Sequence, residues 1–88
     1  MIGDTPNDAS ALALRALTAV LSDQRLAERF LSLSGIDPPD LRQRADDPSL
    51  LAALLRFLEA HEPNLVAIAE ELGVKPEALV AARRELEQ

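Results

Sequence analysis

Apolar residues recur at intervals of three and four along almost the whole chain, and every interruption carries a residue that stops or restarts a helix. Ala9, Leu12, Ala13, Ala16, Leu17 and Val20 follow this rule, as do Leu26, Ala27, Phe30 and Leu31, then Leu50, Leu51, Leu54, Leu55 and Leu58, crowded further by Phe57, then Leu65, Ile68, Ala69 and Leu72. That spacing places each set on one face of an α-helix and fits no strand, whose side chains alternate with a period of two. The breaks fall at Ser22-Asp23, Gly35, Asp46-Asp47-Pro48, His61-Glu62-Pro63 and Gly73. Glycine takes the left-handed conformation that closes a helix, and proline is accepted in a first turn, where its missing N–H has no intrahelical partner. Composition agrees. Apolar residues make up 48% of the chain, with two Phe and no Trp or Tyr, and most of the rest of the apolar set is Leu and Ala, which favour helices over strands.

The pattern predicts an all-α fold, a compact bundle of five to six helices in a single domain over residues 1–88, with residues 1–6 as a loose terminus. The first helix starts near Pro6 or Asp8 with Thr5 or Asn7 as its cap, Ser22-Asp23 restarts the chain, and Asp37 and Asp47 cap the helices opened by Pro38 and Pro48. Eighty-eight residues bury only about 60% of their unfolded surface, so such a core has little apolar material to spare.

One phrase occurs twice. GIDPPDLRQR begins at Gly35 and GVKPEALVAA at Gly73. Laid over each other at that offset, Leu12 meets Leu50, Leu17 meets Leu55, Val20 meets Leu58, Phe30 meets Ile68 and Leu41 meets Leu79. Two pseudo-repeated three-helix units, residues 8–45 and 48–86, packed face to face would account for this, because neither can cover its wide first helix alone. The alternative is chance alignment of Leu-rich helices with ordinary Gly/Pro punctuation.

Composition narrows the chemistry. With no cysteine, disulfides, thiolate metal sites and Cys nucleophiles are excluded, which leans towards a reducing compartment. The net charge of −6 opposes nucleic acid and anionic membrane surfaces. The Ala11–Leu21 stretch is interrupted by Arg15 and too short to span a bilayer, and the start MIGDTPND lacks the basic region of a secretory signal, so a cytoplasmic protein without membrane association is expected. His61 is the single histidine and falls in a helix break. Asp46-Asp47 and Glu70-Glu71 are adjacent pairs, and adjacent helical residues do not share a face. No nucleophile elbow or glycine-rich phosphate loop is present. The expectation is no enzymatic activity, no metal and no cofactor.

Three functional readings follow. The first is a non-catalytic protein-interaction module that binds a protein partner or forms a homo-oligomer. Its apolar surface would be built from leucines in excess of what a small core needs: Leu14, Leu21, Leu33 and Leu50. The second is a helix-turn-helix-like DNA-binding regulator. IAEELGVKPEALVAA places Ala69, Leu72, Val74, Leu79 and Ala82 where such a motif needs small or apolar residues, with Lys75, Arg83 and Arg84 as the DNA contacts. Against it, Glu77 would face phosphates, and Val80 and Ala81 offer bases no hydrogen bond. The third is a sensor of small apolar ligands held between the halves.

The order of three segments carries a resemblance: ERFL with SGI and its following Pro-x-x-Leu, the restart DDPSLLAALLRFL, and Leu-Gly-x-x-Pro near the end. In this order they resemble a small uncharacterised family of alphaproteobacterial proteins, a domain of unknown function, over most of the chain. The resemblance implies a bacterial, cytoplasmic, helical protein and brings no activity or functional residue with it.

Overall fold

Six helices and no strand make up the computed structural model, which describes residues 8–88: α1 (Asp8–Leu21), α2 (Gln24–Ser34), α3 (Pro38–Gln43), α4 (Pro48–Glu59), α5 (Glu62–Leu72) and α6 (Pro76–Leu86). The loose terminus and the Thr5 or Asn7 cap lie outside the described residues. The radius of gyration is 12.2 Å, against about 12 Å for a compact chain of this length.

The punctuation works as its chemistry dictates, with two differences. Asp23 occupies the N-cap of α2 and accepts hydrogen bonds from the Arg25 and Leu26 amides, while the Ser22 hydroxyl turns back to the Thr18 carbonyl. Asp47 caps α4 by accepting from the Ser49 amide. Asp37 stands at the N-cap of α3 but makes no side-chain cap bond, so the start of α3 relies on Pro38 and Pro39. Gly35 and Gly73 have φ of +71° and +74°, the left-handed region. They close their helices differently. At Gly73 the Val74 amide reaches the Ala69 carbonyl and the Gly73 amide reaches Glu70, the paired bonds of a Schellman motif. At Gly35 a single amide bond reaches Leu31, and the Ile36 amide is taken by the Ser34 hydroxyl instead.

Helix limits repeat at the offset of the doubled phrase. The helices α1 and α4 end at Leu21 and Glu59, α2 and α5 run Gln24–Ser34 and Glu62–Leu72, and α3 and α6 start at Pro38 and Pro76. Packing does not repeat. The lead helices α1 and α4 lie against each other, and α6 packs extensively on both. Its counterpart α3 has no comparable contact with any helix, and α2 leans chiefly on α1. Length explains part of this: α3 has 6 residues and one fully buried anchor, Leu41, whereas α6 has 11 and buries Leu79 and Ala82.

One continuous core results. Val20, Leu54, Leu55, Leu58, Ala69 and Leu79 are inaccessible to solvent, and the Phe30 and Phe57 rings meet at a centroid distance of 5.4 Å, tilted by 58°. Because α1, α5 and α6 surround α4, that helix buries six of its twelve residues. Two polar links hold the outside. Arg15 donates to the Leu72 carbonyl at 2.9 Å, meeting an unpaired acceptor and the negative end of α5 with a positive charge. At the far end of α6, Arg83 donates to Glu59 and Glu87, and Arg56 donates to Glu87. No helix among the described residues is long and apolar enough to cross a membrane.

Candidate functional site

The four leucines read as surplus do not share one fate. Leu14, Leu21 and Leu33 are 42%, 40% and 73% exposed, whereas Leu50 is 2% exposed and part of the core. The inclusion of Leu50 in a surface patch is therefore corrected. It sits in the first turn of α4, four residues before Leu54 and eight before Leu58, on the same inward face of a helix that α1, α5 and α6 enclose. Leu33 stands on α2, near its end; a lone exposed leucine is ordinary.

Leu14 and Leu21 form the more organised feature. They lie seven residues apart on α1, and Ala11 and Thr18, both exposed, fill the positions between and before them. The spacing 11, 14, 18, 21 is three, four, three, the seam along which one helix receives another. The opposite side of α1 buries Ala9, Ala13, Ala16, Leu17 and Val20. Thr18 is less polar than its type suggests, because its hydroxyl donates to the Leu14 carbonyl at 3.0 Å within the same helix. Beside the seam, Ser10, Ala11 and Leu14 meet Ala45, Asp46 and Leu51 around a small hollow of about 170 Å³. On the other flank, Arg15, Thr18, Ala19 and Ser22 border a shallow depression closed by Glu71 and Leu72. Ala11 and Thr18 were not singled out from the sequence, although their spacing to Leu14 and Leu21 was the signal available.

The residues of the DNA reading are placed apart. Lys75 is exposed at the N-cap of α6, and Arg84 is exposed near its end. Between them Arg83 is mostly covered, with its guanidinium committed to Glu59 and Glu87. The Glu59 hydrogen bond, with the charges of Glu59 and Glu87, raises the Arg83 pKa above its ordinary value against the opposing effect of burial. At the corner between α5 and α6, Ala69 and Leu79 are inaccessible, while Gly73 between them is exposed. Around it, α6 is held between α1 and α4 as a core helix.

His61 is exposed at the N-cap position of α5 and makes no side-chain cap bond. It borders a hollow of about 720 Å³, which opens between α2 and α5 with Arg25, Glu28, Arg29 and Glu71 around a floor of Leu26 and Ile68. Among the described residues, no three His, Asp or Glu side chains come together as metal ligands would.

No curated protein and no solved structure matches the chain. A family match covers residues 6–88, and by it the chain belongs to DUF3572, a family of proteins of unknown function.

Proposed function

We propose that the protein is a non-catalytic protein-interaction module whose contact face is the outer side of α1. The observation that carries this is the exposed three, four, three seam of Ala11, Leu14, Thr18 and Leu21. A small helical protein gains stability by covering two leucines of one stripe, roughly 25 cal/mol for each Å² removed from water. Here the stripe stays open while α2, α4, α5 and α6 pack on other parts of α1. The hollow beside Leu14 adds a recess of the size that takes one apolar side chain. The chain carries no cysteine, which favours a cytoplasmic setting for this role.

The test is capture from a lysate of the host with tagged protein under light cross-linking, comparing wild type with Leu14→Glu/Leu21→Glu. Both positions are exposed, so circular dichroism should show the variant folded. The expected outcome is a protein recovered with wild type and lost with the variant. The same proteins recovered with both, or nucleic acid in place of protein, would reject the assignment.

A further inference from the structure

We propose that α3 is a latch beside the α1 face: residues 36–46 swing out as a unit between Gly35 and Asp47, and uncover Leu51 next to Leu14. This rests on the reading of α1 as the contact face and describes how that face is regulated. Three observations carry it.

The first is how little holds α3. Of residues 37–44, Leu41 alone is not exposed. It is the one fully buried anchor of the segment, with Ile36 and Ala45 half-buried at the two ends. No helix packs extensively on α3. A helix of 6 residues is too short to persist without tertiary support. Asp37 adds no cap bond, and the Arg44–Asp47 ion pair at 3.3 Å lies at the surface, where such pairs contribute little.

The second is that both neighbouring helices end independently of the segment. Gly35 closes α2 through its bond to Leu31, and Asp47 caps α4 through the Ser49 amide. Neither bond involves residues 36–46. The hydrogen bonds that cross the segment's limits join Ile36 to Ser34 and Arg44 to Asp47, both chain neighbours. Among the described residues, none ties it to a distant helix.

The third is what the segment covers. The hollow of about 170 Å³ is bordered by Ser10, Ala11 and Leu14 of α1, by Leu51 of α4, and by Ala45 and Asp46. Those last two belong to the segment and form one wall. Leu14 is already 42% exposed, whereas Leu51 is 1% exposed. Removing the wall opens Leu51 beside Leu14, so the apolar face of α1 continues onto α4. Elements with few buried contacts open at free energies well below that of global unfolding. A partner that touches Leu51 binds only the opened form and draws the population towards it.

The absence of cysteine allows a direct test, because each variant then carries a single thiol. Leu51→Cys keeps the Leu41 anchor, and Leu79→Cys reports on α6. Each full-length variant is labelled with a soluble maleimide and followed by mass spectrometry, and its own unfolding free energy is measured by circular dichroism. Leu51→Cys should react at least about 100-fold faster than its global unfolding allows. Leu79→Cys should react only through global unfolding. Adding Leu41→Ala to Leu51→Cys should speed labelling by about thirtyfold or more, as loss of a buried leucine from the closed form alone requires. Labelling of Leu51→Cys at the global rate would overturn the latch. Fast labelling that Leu41→Ala leaves unchanged would assign the opening to another element and overturn it too. A protein captured by wild type and lost with Leu14→Glu/Leu21→Glu should be recovered in larger amount with Leu41→Ala; equal recovery would overturn the regulation. Capture unaffected by the α1 substitutions would remove the contact face, while fast labelling at Leu51 would still uphold the opening of α3.

Discussion

A Cβ added to Gly35 or Gly73 meets nothing within 4 Å, so the demand for glycine there comes from the backbone alone, at φ near +70°. Alanine at either position should cost about 1 kcal/mol, the penalty of holding an L-residue left-handed. Denaturant unfolding followed by circular dichroism checks this, and a loss of several kcal/mol would show that more than φ is involved. Leu50 and Leu33 make a sharper contrast. Leu50→Ala should cost about 2–5 kcal/mol, as for other buried leucines, and Leu33→Ala no more than about 0.5 kcal/mol. Counting leucines made both look surplus, whereas periodicity separates them: Leu50 precedes Leu54 and Leu58 by steps of four and so shares their inward face on α4. Leu14 and Leu21 were legible as leucines beyond the inward stripe of Ala13, Ala16 and Leu17, which is buried; the three-four spacing that joins them to Ala11 and Thr18 was equally present in the sequence.

Helices began and ended where proline, glycine and aspartate said they would, so this level was almost fully readable in advance. The partners of those residues were less so. Asp23 accepts two amide bonds and Asp37 accepts none, although both occupy N-caps. Asp23→Ala should therefore cost about 1 kcal/mol, and Asp37→Ala close to nothing, measured by the same unfolding assay. The end of α6 responds to acid. Hydrogen bonding from Arg56, then the charges of Arg56 and Arg83, hold the Glu87 carboxyl below its ordinary value of 4.5. A carboxyl lowered by folding contributes stability that is present above its unfolded value and lost as pH falls through its folded one. Titration followed by NMR should find Glu87 ionising below 4.5, with α6 loosening from Glu59 and Arg56 in that window. Glu87→Gln should remove that pH response. Two of the arginine–glutamate contacts join residues far apart in the chain, Arg56 with Glu87 and Arg83 with Glu59. Spacing rules within one helix give no sign of such pairs.

Across the molecule, the doubled phrase is preserved as doubled helix limits and abandoned as packing. The reason is the third helix of each half. GIDPPDLRQR continues into charged residues after Leu41, so α3 stops at Gln43; GVKPEALVAA continues with Ala82 and Leu86, so α6 runs on and offers a second turn of apolar contact. Only α6 is long enough to close the space between α1 and α4. Hydrogen exchange should find α6 protected to nearly the full unfolding free energy and α3 opening well below it. A fragment of residues 8–45 should be largely unfolded by circular dichroism, because its α1 would expose Ala13, Ala16 and Val20 to water.

The position of α6 also sets how this protein must reach its native state. Helical proteins usually fold fast because most of their contacts join near neighbours in the chain. Here the segment that completes the core meets α1 across the whole of residues 22–75. The entropy of closing that loop must be met before burial of Leu79 and Ala82 rewards it. Local pairs such as α1 with α2 and α4 with α5 can form early, but they remain provisional until α6 arrives. The rate-limiting event is thus a long-range encounter in an all-helical chain, and substitutions on the α1–α6 contact should slow folding more than they speed unfolding.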